Sequence, residues 1–207
     1  MNTINETKPK KKKGHRREEI LQTLVIELEK NPGERITTAN LAKAVGVSEA
    51  ALYRHFPSKA KMFDALIEYS EDAVFGLINQ IESEKIAAMS KVEKIMRLLL
   101  GFSSKNPGIT RILSGDALVG ENERLVKRCD QFFQRLETQL KQIIREGELN
   151  KQIHYQGNIS QFAEILSSFV EGQLHRYVRT RFTRKPDENW EAKWPFFIAS
   201  IDSEKRS

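Results

Sequence analysis

The sequence predicts an all-α fold on two observations. Apolar residues recur every three or four positions in one segment after another. The breaks between segments carry Asn-Pro-Gly turns or Ser and Thr residues suited to helix capping. At 207 residues and 39% hydrophobic, the chain can build one large domain or two small ones around a real core.

Composition narrows the class. No apolar run reaches the ~20 residues of a membrane span. The basic N-terminus lacks the hydrophobic stretch of a secretory signal. Cys129 is the single cysteine, so no intrachain disulfide forms, which suits a reducing cytoplasm. The 34 basic and 28 acidic residues leave a net charge of +6. Residues 1–17 hold Lys8, Lys10, Lys11, Lys12, Lys13, Arg16 and Arg17 against Glu6 alone, so the other 190 residues balance. A free basic arm gathers DNA by counterion release and steers its encounter; its plainer role is a solvated tail.

In order, Met1 to His15 is expected to be a disordered basic tail, being polar, lysine-rich and without anything to bury. A helix follows from Arg16, with Ile20, Leu21, Leu24, Val25 and Leu28 at helical spacing, and Asn31-Pro32-Gly33 ends it. Ile36 to Lys59 then reads as two short helices about a tight turn. Ala39, Leu41, Ala42 and Val45 form the apolar side of the first, Gly46 breaks it, and Ser48 caps the second. Leu52 faces inward, Tyr53, Arg54 and His55 leave polar tips outside, and Pro57 stops the helix. This is a helix-turn-helix pattern, and three helices are expected to bury a small core of their own.

The remainder reads as a helical bundle. Ser58 to Glu84 is one long helix, entered without a flexible linker. Ser90-Lys91-Val92-Glu93 matches a capping box and predicts the start of a central, largely apolar helix that ends at Asn106-Pro107-Gly108. A short helix over 109–113 and a glycine-rich corner over 115–120 follow. Two long amphipathic helices, Glu123 to Arg145 and Ile159 to Arg181, suggest an antiparallel pair. Ser167, Ser168 and Gly172 leave room for another helix, so this pair is the expected dimer face. Glu188 to Ile201, with Trp190, Trp194, Phe196 and Phe197, reads as an aromatic cap. The expected domains are thus the tail at 1–15, a helix-turn-helix domain at 16–60 and a dimerising helical domain at 61–207.

ITTANLAKAVGVSEAALYRHFPSKAKMFDALIE resembles the N-terminal domain of the TetR-type regulators, whose signature is Gly-Val-Ser followed by Leu-Tyr-x-His-Phe-x-Ser-Lys. A narrower resemblance covers most of the chain from Arg16 to Pro195. RREEILQTLVIELE, LLLGFSSKNPGITRILSGDAL, ENERL and FTRKPDENWEAKWP are similar to the nucleoid occlusion factor family within the TetR type. The resemblance implies a TetR-like all-α fold, with an N-terminal three-helix helix-turn-helix domain and a C-terminal bundle that dimerises. It implies a cytoplasmic, nucleoid-associated homodimer, or a dimer of dimers, on palindromic double-stranded DNA. While bound, such proteins antagonise assembly of the division protein FtsZ. No cofactor, metal or membrane is implied.

The resemblance also assigns roles. Thr37 and Thr38 stand at the start of the motif's first helix, where hydroxyls and N–H groups suit a phosphate or simple capping. Ser48 and Ala50, with Ala51, open the reading helix, where small side chains let the backbone near base edges. Tyr53 and His55 can donate to phosphates, His55 also to helix-end carbonyls. Lys59 is a phosphate contact in the family pattern. The partner groove is implied at Tyr69, Leu98, Gly101, Lys105 and Asn106, with Gly101 permitting a close backbone approach and Lys105 and Asn106 holding an acidic or carboxylate-bearing peptide. Leu77 departs from a basic position in that pattern.

Enzyme readings are poor. His15, His55, His154 and His175 have no metal-ligand spacing, Cys129 lies on an apolar helix face, and neither a phosphate-binding P-loop nor a dinucleotide fingerprint occurs. The other classes compatible with the chain are a ligand-responsive repressor on the same fold and a DNA-packaging protein with little sequence preference.

Overall fold

The computed structural model describes residues 13–199 and residue 201. Among them are nine α-helices and no strand: α1 (Lys13–Lys30), α2 (Thr38–Val45), α3 (Glu49–His55), α4 (Lys59–Ser83), α5 (Ala88–Lys105), α6 (Pro107–Leu113), α7 (Glu123–Leu149), α8 (Ile159–Arg179) and α9 (Trp190–Ile198). One 3-10 turn, Asp116–Leu118, joins α6 to α7. The tail expected over 1–15 lies outside the described residues as far as residue 12; α1 begins at Lys13, three positions before the expected Arg16. The aromatic helix is shorter than expected, running Trp190–Ile198 rather than from Glu188 to Ile201.

Local chemistry sets most of the boundaries. The hydroxyl oxygens of Thr37, Ser48 and Ser58 accept from the backbone N–H groups of Asn40, Ala51 and Lys61, each satisfying an otherwise unpaired helix-start donor. Gly46 closes α2 at φ 74°, a left-handed conformation that a side chain disfavours. Ala39, expected on the apolar side of α2, is exposed, while Leu41 and Ala42 are buried. The expected capping box at Ser90 does not start α5. The helix begins two residues earlier, at Ala88, and its first N–H donates 3.0 Å to the side-chain oxygen of Gln152. A residue 64 positions away therefore satisfies one of the donors that open this helix.

Two apolar clusters form the interior. The larger joins α4, α5, α7, α8 and α9, with Phe75, Met96, Leu99, Phe132, Leu136, Leu166, Val170 and Trp190 at its centre. The smaller joins α1, α2, α3 and the first half of α4 through Ile20, Leu24, Leu41, Leu52, Phe56, Phe63 and Ile67. It does not close on itself. Ile112, Leu118, Leu125 and Cys129, from α6, the 3-10 turn and α7, complete it. Three helices totalling about 33 residues do not enclose it alone, and α6 crosses α1 at Val25 and Leu28. Each such buried side chain is worth roughly 1.5–3 kcal/mol, so a boundary at residue 60 cuts through one continuous core.

Polar contacts fasten the same seam. Arg111 on α6 is 1% exposed. Its guanidinium donates to the carbonyls of Leu28 (2.9 Å), Asn31 (2.7 Å) and Glu34 (3.0 Å) and to the Asp116 carboxylate (2.5 Å). A Cβ added at Gly108 would overlap the carbonyl oxygen of Val25, so α6 and α1 touch backbone to backbone. Farther along, Asp64 on α4 accepts from Arg124 and Arg128 of α7 and from Lys61. Burial raises the Asp64 pKa, but these three cations outweigh it and hold the carboxyl at about 2.

Candidate nucleic-acid interface and partner groove

The reading face is assembled by α2 and α3. Ser48 and Ala50 are exposed at the start of α3, and Tyr53 is 42% exposed one turn later. Thr37 is exposed at the start of α2. Thr38 donates 2.8 Å to the Glu49 carboxylate and accepts 3.3 Å from the Tyr53 hydroxyl. This chain of bonds ties Thr38 of α2 to Glu49 and Tyr53 of α3 and fixes the two helices relative to each other, with Thr37, Ser48 and Ala50 exposed at their starts. The Thr38 hydroxyl proton is committed to Glu49, so its free donor is the backbone N–H.

Two expected phosphate donors sit differently. His55 is half-buried at the end of α3, and its carbonyl is satisfied by Arg17, which donates 2.7 Å and lies 4.1 Å over the Phe56 ring. The end of α3 is thus held by α1, not by the His55 ring. The Lys59 ammonium donates 2.8 Å to the Ile36 carbonyl and pairs at 2.5 Å with Glu121. Its side chain is 17% exposed and turned toward the bundle, because Glu121 supplies a nearby charge that a lone helix-turn-helix lacks. Arg35 joins it, donating 2.6 Å to the Gly120 carbonyl and pairing with Glu121 at 3.5 Å. Nothing local in the sequence marks Arg17 or Glu121 for these contacts.

The second site is a groove of about 460 Å³ with a predominantly apolar lining. Tyr69 of α4 and Asn106 at the start of α6 line it, together with Leu21, Val25 and Ile26 of α1 and Ile109. The structure thus brings Tyr69 and Asn106 together and adds an α1 wall that the sequence reading missed. The only signal for it is Ile26, which breaks the apolar pattern of α1 and is 47% exposed. Asn106 donates 2.7 Å back to the Phe102 carbonyl, ending α5. Leu98, Gly101 and Lys105 stack along one face of α5 at helical spacing. Leu98 and Gly101 are half-buried and Lys105 is exposed. Among the described residues nothing lies within 4 Å of a Cβ at Gly101, so the α5 surface there is open, whereas at Gly108 the backbone of α6 meets that of α1. Leu77 is 44% exposed on α4.

The second half of the chain decides the family. Residues 86–202 match the SlmA-like domain described as "Tetracyclin repressor-like, C-terminal domain". Residues 20–66 match "Bacterial regulatory proteins, tetR family".

The chain belongs to the SlmA family.

Similar relatives include two proteins named Nucleoid occlusion factor SlmA. That of Alteromonas mediterranea is 49% identical over 91% of this chain and 97% of its own length. That of a Marinomonas species is 51% identical over 92% and 96%. Solved structures share the fold at low identity. The MbdR regulator of an Azoarcus species has a TM-score of 0.76 at 18% identity, covering 89% of this chain and 98% of that one. A TetR-family regulator from Agrobacterium tumefaciens has 0.73 at 17%, covering 90% and 98%. The all-α, TetR-like architecture expected from the sequence is therefore the one found, and TetR-type proteins are DNA-binding regulators.

Burial pushes the Cys129 thiol up to about 12, and its sulfur donates to the Ile112 carbonyl at 3.4 Å, which makes it a core residue. Among the described residues no cluster of His, Cys, Asp and Glu is arranged to hold a metal, and no helix is long and apolar enough to cross a membrane.

Proposed function

We propose that this protein binds palindromic double-stranded DNA as a homodimer and, while bound, inhibits FtsZ assembly, so that the septum does not close over the nucleoid. The observation that carries this reading is the span of the relationship. About half of the residues are identical to proteins named nucleoid occlusion factor across some nine-tenths of the chain, including the C-terminal module. The protein would accordingly reside in the cytoplasm, on the nucleoid. Thr37, Thr38, Ser48, Ala50 and Tyr53 meet the duplex, with His55 at the edge of that face. Lys59 reaches a phosphate only by leaving Glu121. The groove at Tyr69 and Asn106, with the Leu98, Gly101 and Lys105 face of α5, receives the FtsZ segment. The dimer forms through α7 and α8, where Ile165 is 55% exposed and, among the described residues, nothing lies within 4 Å of a Cβ at Gly172. The working division remains a DNA-reading part to about residue 60 and a bundle beyond it, joined through the shared core.

The two sites share α6. Asn106 precedes its first turn and lines the groove, while Arg111 in its second turn grips α1 and the loop leading to the reading motif. A seven-residue helix is about 10 Å long and stiff, so DNA binding can order the surface offered to FtsZ. The test is light scattering of FtsZ with the protein, with and without a specific palindromic duplex. The duplex should strengthen inhibition, a scrambled duplex should not, and DNA binding should weaken steeply with salt. No effect on FtsZ in any arm rejects the division role.

A further inference from the structure

We propose that the basic turn after α8 is a second docking surface, taking an acidic segment of the same polypeptide partner whose apolar part lies in the groove at Tyr69 and Asn106. This rests on the partner reading above. Residues 176–185 hold Arg176, Arg179, Arg181, Arg184 and Lys185 and no acid. Arg179, Arg181, Arg184 and Lys185 are exposed, and none of them is ion-paired among the described residues. Nearby, burial and the Arg176 charge hold the Lys193 ammonium below its ordinary value, although Asp187 and Glu188 oppose this.

The turn is built, not loose. The Arg181 N–H donates to the Val178 carbonyl and the Phe182 N–H to the Tyr177 carbonyl, both at 2.9 Å, which is the glycine-type closure of a helix end. Here no glycine occupies it. Arg181 (φ 49°) and Phe182 (φ 64°) both take the left-handed conformation that a Cβ disfavours. The Phe182 ring packs on Tyr177 at 5.1 Å, and the Tyr177 hydroxyl donates 3.2 Å to the Ser104 carbonyl. Strain of this kind persists where surrounding contacts hold it and where it serves a site.

Position favours the groove's occupant over the duplex. Trp190 donates to Glu93 and Glu191 pairs with Arg97, so α9 packs beside α5, and Tyr177 ties the end of α8 to the same helix. Ser104, where Tyr177 fastens the turn, adjoins Lys105 and Asn106. The turn therefore borders the α5 face that carries Gly101 and Lys105. The reading helix is held by Arg17 near the start of α1, whereas α6, which follows Ser104 and Lys105, meets α1 at Val25, eight residues or about 12 Å farther along. Asp187, Glu188 and Glu191 also lie along the rim, which a peptide with a few carboxylates can avoid and a continuous phosphate backbone cannot.

The test is a full-length variant with Arg179→Gln, Arg181→Gln, Arg184→Gln and Lys185→Gln, titrated with purified FtsZ at two salt concentrations. Affinity should fall about tenfold at low salt, and the difference from the parent should vanish at high salt. Duplex affinity and Tm should be unchanged. FtsZ affinity and salt dependence equal to the parent's overturn the proposal. A loss of duplex affinity with FtsZ binding intact overturns it too, assigning the turn to DNA. A parent that fails to bind FtsZ rejects the partner reading itself, and this inference with it. Arg181→Gly gives an independent check, since relief of the left-handed strain should raise Tm while FtsZ binding weakens. A higher Tm with undiminished binding means that the turn is only structural.

Discussion

Replacing Arg111 by methionine should destabilise the protein by about 3–4 kcal/mol. Arg111 is 1% exposed and makes four hydrogen bonds, three of them to carbonyls of α1 and the loop after it. Bonds from a charged donor are each worth about 1.5–3 kcal/mol net. Truncating one partner of a buried ion pair costs about 3–5 kcal/mol. Asp116 is 31% exposed and recovers some hydration when left alone, which places the loss toward the lower end. Methionine fills similar volume, so cavity formation adds little. Urea unfolding at pH 7 measures the loss. With a slope of about 2 kcal/mol per molar, the midpoint should drop by about 1.5–2 M. Arg111→Lys should recover less than half, because one ammonium cannot fork toward four acceptors. A loss below about 1 kcal/mol for methionine would refute the reasoning and mean that water satisfies those carbonyls.

Two further expectations concern other contacts. Gly108→Ala should cost about 1–3 kcal/mol by forcing α6 off the Val25 carbonyl, whereas Gly101→Ala, in open space within a helix, should gain about 0.5–1 kcal/mol; equal effects in thermal unfolding would mean that α6 can shift freely. Asp64 should make stability acid-sensitive. Its folded pKa of about 2 lies below the ordinary aspartate range near 4, so its contribution of about 2 kcal/mol is present above pH 4 and lost as pH falls toward 2. Asp64→Asn should flatten that part of the pH profile, and an unchanged slope in urea titrations would show that the cluster contributes nothing.

Helices α4, α7 and α8 were legible because their signals are local: a serine or asparagine cap followed by a regular apolar stripe. The motif at Ile36 to Lys59 was legible for the same reason. What sequence could not show is where long side chains end. Arg111 grips backbone carbonyls 77 to 83 residues away, and any residue type can supply a carbonyl. Lys59 turns inward because Glu121 arrives from another part of the chain. The two glycines look alike in sequence, yet Gly108 meets another backbone and Gly101 meets open space. In the groove, Tyr69 and Asn106 were anticipated, but the wall from α1 was not, since its stripe reads as ordinary core.

The long-range cap on α5 bears on the order in which the molecule is made. A chain leaves the ribosome N-terminus first. By the time residue 129 has emerged, every side chain of the smaller core is present, and the reading motif can close. The first N–H of α5 still lacks its acceptor, because Gln152 has not been made. The helix that carries Leu98, Gly101 and Lys105 is therefore finished after the helices that face DNA. A nascent chain can thus shape its reading motif before this partner surface is complete, while its grip on a palindrome still waits for the dimer face on α8.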